Sequence, residues 1–170
     1  MPDNHLICQV TGEVVPDFDD HEALYGIQNC APFVELLDWS AHPNPEPVSL
    51  ETQMVYQTCL AYVGSIYKGL IEKEHHRRNF RRLLCFGIFC PADLIILVEE
   101  RRPRALAILA LYFAVTYAQN DHWIWRGLAD QEVEGIATIM PNDWSWAMAR
   151  PRSLLQELKD HPVYQDVQAF

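Results

Sequence analysis

The stretch RRPRALAILALYFAVTYAQNDHWIW, residues 101–125, decides the fold prediction for this chain. It opens with arginines around Pro103, continues with fourteen uncharged residues from Ala105 to Ala118, and ends in a polar break rich in aromatic side chains. Proline is tolerated in the first turn of a helix because the N–H that it lacks has no helical partner there. A helix that is apolar on every side is buried on every side. The stretch therefore predicts the central, buried helix of a bundle.

Helical signals continue on both sides of this stretch. Asp20 and Ser49 are placed to cap helices, and Asp143 is placed to cap a later one. The segment 50–70 carries one apolar stripe, formed by Leu50, Met54, Tyr62, Ile66 and Leu70. The segment 77–90 spaces four apolar residues as a helix does, namely Phe80, Leu83, Leu84 and Ile88. Because no strand alternation is found, the sequence predicts an all-α fold.

The length of 170 residues is typical of a single domain. We expect one helical domain over 1–170, with an irregular segment at 1–19 and a proline-rich loop at 41–49. Pro43, Pro45 and Pro47 stand within five residues of one another, and this density predicts an extended, exposed loop.

The charges are divided unevenly along the chain, whose net charge is −10. Residues 1–67 contain ten acidic residues and no Lys or Arg, whereas residues 68–104 hold nine of the thirteen basic residues. Phosphate neutralisation supplies most non-specific DNA affinity, so an acidic domain with one basic belt is not expected to bind nucleic acid by itself. The basic residues of 68–104 are expected to form ion pairs with the acidic residues of 1–67. The alternative is that this basic belt binds an anion.

Sequence motifs that would name a reaction or a cofactor are missing. Nucleotide-binding, zinc-protease and serine-hydrolase signatures do not occur. The five cysteines are an odd number without CxxC spacing, which predicts buried thiols in a reducing compartment, no metal and no cofactor. No stretch predicts a secretory signal or a membrane span, so a cytoplasmic location is expected.

The aromatic break at 117–125 is the best candidate site. Asp121 and His122 can donate, accept or transfer a proton, which makes them the candidate catalytic groups. Broad apolar side chains are expected to wall an apolar pocket beside them, and these are Tyr62, Phe113, Tyr117, Trp123 and Trp125. The alternative is structural, with Asp121 as a helix cap and the tryptophans packed as core.

The segment from about Arg81 to Pro151 resembles the C-terminal end of the regulatory domain in fungal sterol uptake control proteins, which are zinc-cluster transcription factors. The resemblance rests on the basic-proline start RRPRA at 101–105, the Trp-rich turn WIW at 123–125, the step MPNDW at 140–144, and Trp146 followed by Pro151. It implies a helical bundle with a deep apolar pocket for a sterol or a similar lipid. Those regulators also carry six closely spaced cysteines in a zinc cluster, and this chain does not, so it is not expected to bind DNA as they do.

Two functions remain open at this point. The first is a stand-alone, cofactor-free cyclase of the Diels–Alderase type, acting on a terpenoid or polyketide in fungal secondary metabolism. Such a reaction requires a shaped pocket and one polarising hydrogen bond rather than a nucleophile. The second is a sterol- or lipid-sensing regulatory domain of a transcription factor, which would be nuclear. Either protein would bind a hydrophobic small molecule, and a homodimer is possible for both.

Overall fold

A computed structural model describes residues 20–40, 44–74 and 76–161 of the chain. Its α-helices are α1 (His21–Tyr25), α2 (Leu50–Ile71), α3 (His76–Leu84), α4 (Phe86–Phe89), α5 (Asp93–Glu99), α6 (Pro103–Thr116), α7 (Leu128–Ile139) and α8 (Ala149–Asp160). Three 3₁₀ helices accompany them, η1 (Ile27–Leu37), η2 (Tyr117–Gln119) and η3 (Asn142–Met148). Within these ranges no strand occurs, which confirms the all-α prediction.

The helices α2 and α6 pack against each other, and each also contacts other parts of the fold. Helix α2 contacts α1, η1 and α5, whereas α6 contacts α7, α8 and η3. Ten of the fourteen residues of α6 are buried. Burial of apolar surface is the main favourable term in folding, so these two helices organise the hydrophobic core. In the described part of the chain, no helix combines the length and the apolar composition needed to cross a bilayer.

Local capping chemistry agrees with the sequence at three helix starts. The Asp20 carboxylate accepts a hydrogen bond from the Ala23 N–H at 3.3 Å, and the Ser49 hydroxyl accepts one from the Thr52 N–H at 3.1 Å. Pro103 occupies the first turn of α6. The cap predicted at Asp143 is wrong, because η3 begins without a side-chain cap. The Asp143 carboxylate instead accepts a hydrogen bond from the Asn44 amide at 2.8 Å.

The predicted stripe on α2 is correct for its C-terminal half and wrong for its N-terminal end. Tyr62 and Ile66 are buried, whereas Leu50 and Met54 are exposed. Successive residues of an α-helix are rotated by about 100°, so a row of i, i+4 positions drifts by about 40° at each step. Over the five steps that separate Leu50 from Leu70 the row turns to the opposite side of the helix.

The segment 77–90 forms two helices rather than one. Cys85 separates α3 from α4 with backbone angles of φ −93° and ψ 5°. Leu83 is buried, but Leu84 and Ile88 are exposed, so their predicted inward orientation is wrong. Ile88 follows the break at Cys85, which changes its direction, whereas Leu84 lies on α3 itself, about 100° around the helix from the buried Leu83.

Helix η1 approaches α2 closely because Gly64 has no side chain. A Cβ atom at Gly64 would lie 1.9 Å from the Asn29 carbonyl oxygen, far inside van der Waals contact. The Cys30 thiol donates to the Gln57 carbonyl oxygen at 3.6 Å, and the Trp39 ring stacks on that of Tyr56. Glycine is the residue that permits such an approach between two backbones.

Candidate functional site

The aromatic break of the sequence forms a closed turn between η2 and α7. The Asn120 side-chain oxygen accepts a hydrogen bond from the Gly127 N–H at 2.9 Å, which ties the two ends of the turn together. Gly127 has a φ of 74°, in the left-handed region that favours glycine, and α7 begins at the next residue. The residues of the aromatic break thus form a turn, and regular α-helix resumes only at Leu128.

The two tryptophans of the turn have opposite environments. Trp125 is buried, and its indole N–H has no hydrogen-bond acceptor within the described residues. Trp123 is 78% exposed, and Ile124 beside it is also exposed. Trp125 thus anchors the turn in the core, while Trp123 is presented to solvent.

The two candidate catalytic residues do not form a hydrogen-bonded pair with each other in this structure. Asp121 is exposed, and His122 is half-buried. The His122 ring lies 5.8 Å from the Phe80 ring and 6.1 Å from the Trp123 ring, and its Nδ1 accepts a hydrogen bond from the Ile124 N–H at 3.4 Å. Phe80, His122 and Trp123 thus form a short row of rings that the sequence did not indicate.

Tyr62 and Phe113 belong to a second group of rings. Phe86 stacks on Tyr112 with ring centroids 4.0 Å apart; it also contacts Tyr62, and Tyr112 contacts Phe113. The Tyr62 hydroxyl donates to the Arg82 carbonyl oxygen at 2.9 Å. Burial raises the pKa of the Tyr62 phenol, so the phenol keeps its proton at neutral pH.

Tyr117 lies beside Lys159 of α8 rather than in either of these two groups of rings. The ammonium group of Lys159 on α8 lies 5.7 Å from the centre of its ring, within cation–π range. The ring contacts therefore connect Tyr62 with Phe113 and His122 with Trp123, while Tyr117 contacts α8. Whether these residues bind a substrate, and whether Asp121 and His122 are catalytic, stays a prediction.

A buried polar cluster around Arg104 was not predicted. Arg104 is fully buried in the first turn of α6, with its guanidinium 4.8 Å from the ring centres of both Trp39 and Trp144. Its Nε donates to the Leu36 carbonyl oxygen at 2.9 Å, and a terminal nitrogen donates to the Asp38 carbonyl oxygen at 2.7 Å.

Glu46 supplies the negative charge of this cluster. Its carboxylate lies 3.4 Å from the Arg104 guanidinium, and it accepts hydrogen bonds from Arg102 Nε and the Tyr56 hydroxyl, both at 2.7 Å. The pKa of the Arg104 guanidinium is lowered, because the effect of burial exceeds the opposite effect of the adjacent Glu46 carboxylate. The cluster joins the proline-rich segment to the start of α6.

The exposed loop predicted at Pro43–Pro47 is thus only partly correct. Pro43 lies outside the described residues, and Pro45 and Pro47 are exposed, but Glu46 between them is buried. The sequence contains two signals of this cluster. One is an acidic residue between two prolines, and the other is the pair of arginines around Pro103. They stand more than fifty residues apart, and no local pattern connects them.

The arginines of the basic belt form ion pairs with acidic residues from two parts of the chain. Arg102 and Arg104 pair with Glu46 of the acidic segment 1–67, as expected, whereas Arg78 and Arg82 pair with Glu74.

The cysteines of the described ranges are free thiols. Cys30, Cys59 and Cys90 are buried, Cys85 is half-buried, and Cys8 lies outside the described residues. Burial raises the pKa of the Cys30 thiol to about 11, and a hydrogen bond with Cys59, together with burial, raises the pKa of the Cys90 thiol. Across the described ranges no three His, Cys, Asp or Glu side chains are grouped as a metal site requires.

Comparison with known proteins gives two significant relatives. A Zn(2)-C6 fungal-type transcription factor of Gibberella zeae is 28% identical over 96 residues, which are 56% of this chain and 19% of that protein. The Zn(2)-C6 fungal-type transcription factor afumD of Aspergillus fumigatus is 33% identical over 78 residues, which are 45% of this chain and 21% of that protein.

No family model matches the chain, and no solved structure matches it. The matched segment spans about a fifth of the length of each of these two curated relatives. About half of this all-α chain is therefore similar to a part of fungal Zn(2)-C6 transcription factors.

Proposed function

We propose that this chain is a helical regulatory region of the kind found in fungal transcription factors, and that it acts by binding rather than by catalysis. The observation that carries this proposal is the similarity to two Zn(2)-C6 transcription factors over about half of the chain. The regulatory role also implies a nuclear location. No observation specifically favours the cyclase, which remains a hypothesis that the experiments below also address.

The binding surface of this proposal is the turn at 120–127. Its closure by Asn120 and Gly127, with Trp125 as a buried anchor, holds the backbone that carries the exposed Trp123 ring. A rigid aromatic side chain loses little conformational entropy on binding, which is why tryptophan is frequent at recognition sites. The ligand that we propose is a hydrophobic small molecule of the sterol class, packed against Trp123 and the adjacent rings of His122 and Phe80.

The buried N–H of Trp125 also supports a ligand with one polar group. A buried donor without an acceptor costs about 1–3 kcal/mol, and an oxygen that accepts its hydrogen bond would remove this penalty. A sterol offers one hydroxyl oxygen on an apolar body, and for that oxygen to reach the Trp125 N–H the core beneath the turn would have to open, because Trp125 is buried while Trp123 faces solvent.

A reporter experiment tests the regulatory role. The full chain is fused between a heterologous DNA-binding domain and an activation domain in yeast, and reporter output is followed as cellular sterol is depleted and restored. We expect output to change with sterol in the wild-type fusion and to stay constant in the Trp123→Ala fusion. Constant output in both fusions would contradict regulation by sterol.

A binding experiment with matched variants tests the turn itself. Purified chain is titrated with a fluorescent sterol analogue, and Trp123→Ala is expected to weaken binding at least tenfold. Ile88→Ala, which changes another highly exposed apolar residue outside the turn, is expected to leave affinity within twofold of wild type. Equal affinity of both variants would remove Trp123 from the site.

Stability measurements separate loss of binding from loss of folding. Trp123→Ala is expected to change the free energy of unfolding by less than about 0.5 kcal/mol, because the ring is exposed. Trp125→Ala, by contrast, is expected to cost about 3–5 kcal/mol in urea unfolding.

The cyclase hypothesis has a test of its own, which is incubation of the purified chain with polyene precursors. Product formation above a no-protein control would support the cyclase.

A further inference from the structure

Two buried thiols meet between α2 and the junction of α4 with α5. Cys59 lies within α2, and Cys90 directly follows α4. Neither thiol is part of a disulfide, and Cys59 is fully buried while Cys90 is 8% exposed. A hydrogen bond joins the two side chains. The fold thus brings together two cysteines that are distant in the sequence.

Contacts that do not involve sulfur hold the same junction against α2. Phe89, the residue before Cys90, stacks on Tyr62 of α2 with ring centroids 6.2 Å apart. Cys59 and Tyr62 are three residues apart, so they lie on one side of the helix. The Phe89 carbonyl oxygen accepts a hydrogen bond from the Tyr25 hydroxyl at 2.8 Å, and the Tyr25 ring lies 5.9 Å from the Tyr62 ring. The backbone at Cys90 is therefore positioned beside Cys59 by its neighbours.

The other two cysteines of the described ranges have different surroundings. The Cys30 thiol donates to the Gln57 carbonyl oxygen, which is a backbone group of α2. Cys85 lies at the break between α3 and α4 and is half-buried. A disulfide requires Cβ atoms about 3.5–4.5 Å apart, and two thiols that already share a hydrogen bond come near to this requirement. This contact selects Cys59 and Cys90 as the pair that a crosslink would join.

We propose that Cys59 and Cys90 form an oxidant-responsive switch, in which a disulfide fastens the α4–α5 junction to α2. The oxidant is a peroxide, of which hydrogen peroxide is the smallest. The sulfur of Cys90, the more exposed of the two, attacks one peroxide oxygen; the O–O bond breaks, and a sulfenic acid and one water form. The sulfur of Cys59 then attacks the Cys90 sulfur, the S–O bond breaks, and a second water leaves. The two thiols lose two electrons and two protons in total, and hydrogen peroxide is reduced to two water molecules.

The surroundings of the pair make the reduced form its ordinary state. The thiolate is the nucleophile in thiol oxidation, and the raised pKa of Cys90 keeps that thiol protonated at neutral pH. Oxidation is therefore slow, and the switch responds to sustained rather than brief exposure to peroxide. The pair includes none of the residues of the turn at 120–127, so this proposal and the proposed function fail separately.

Peptide mapping of the oxidised chain tests the pairing. The reduced full chain is incubated with hydrogen peroxide, the peroxide is removed, the remaining thiols are alkylated, and the chain is digested without reductant. We expect the principal linked peptide to join Cys59 to Cys90.

Thermal unfolding tests the effect of the crosslink on the fold. The disulfide closes a loop of about 30 residues and restricts the unfolded chain, so we expect oxidation to raise Tm by at least about 5 °C. Dithiothreitol should reverse this rise. Amide hydrogen exchange in α4 and α5 should slow in the oxidised chain, because local opening of the junction is then blocked.

Three alanine variants assign the effect to residues. Cys59→Ala and Cys90→Ala should each lose the linked peptide and the rise in Tm, whereas Cys85→Ala, the control, should keep both. Circular dichroism verifies the fold of each variant, and the map of the wild-type chain keeps the test valid if a buried variant does not fold. Two results would overturn the proposal. One is a principal disulfide between Cys85 and Cys90, and the other is a rise in Tm on oxidation that persists in Cys59→Ala.

Discussion

The guanidinium of Arg104 and the carboxylate of Glu46 form an ion pair at 3.4 Å in which both side chains are buried. The pair crosses 58 residues of sequence and fixes the proline-rich segment against the start of α6. Two tryptophan faces and two backbone carbonyl groups complete the environment of the guanidinium. A buried charge of this kind requires such partners, because the desolvation of an ion costs several kcal/mol.

Breaking this pair is expected to be severe. Arg104→Met keeps an apolar side chain between Trp39 and Trp144 but leaves the buried Glu46 with fewer partners. We expect a loss of about 3–5 kcal/mol in the free energy of unfolding, measured in urea.

An exposed ion pair provides the control. Arg152 and Glu134 lie 2.9 Å apart, and both side chains are more than half exposed. Arg152→Met should therefore cost between about 0 and 1 kcal/mol. Comparable losses in the two variants would show that burial does not distinguish the pairs.

The close approach of η1 to α2 gives a second prediction. Gly64→Ala places a Cβ atom 1.9 Å from the Asn29 carbonyl oxygen, so η1 must move away from α2. We expect a loss of about 1–3 kcal/mol, the usual cost of overpacking. Gly87→Ala is the matched change in α4, where a Cβ atom meets nothing within 4 Å and a small gain in helix propensity is expected. Thermal unfolding of both variants measures the difference, and a Gly64→Ala variant as stable as Gly87→Ala would contradict the approach.

The buried Cys30 thiol predicts a loss of stability at alkaline pH. Its pKa in the folded chain is raised by burial to about 11, from an ordinary value of 9.0. Above pH 9 the unfolded chain therefore loses this proton first, and the native state binds more protons than the unfolded state. The contribution of Cys30 is complete below pH 9 and disappears as the pH rises through 11.

Urea unfolding at pH 8 and pH 10.5 measures this dependence. We expect the wild type to lose stability between the two values and Cys30→Ala to lose less, since the titrating thiol is gone. Tyr112 also has a raised pKa, of about 12, so part of the alkaline loss should remain in the variant. An identical pH dependence of both proteins would rule out Cys30 as a source.

The sequence by itself determined the features that depend on neighbours within a few turns of the chain. Asp20 and Ser49 cap their helices as predicted, because a capping bond reaches only three residues along the chain. Pro103 begins α6, and the helical periodicity on both sides established an all-α fold.

Only the tertiary structure decided which apolar and polar side chains are covered. Leu50 and Met54 are exposed although their spacing resembles that of the buried residues, because the helical row rotates away from the core before it reaches them. Glu46 is buried although prolines flank it, because Arg104 comes from a helix that lies far away in sequence. Trp123 and Trp125 stand two residues apart with opposite exposures, since the direction of the turn at 120–127 depends on the closure by Asn120 and on the core beneath it. Periodicity is a local property of the chain, whereas burial depends on which distant segments fold against it.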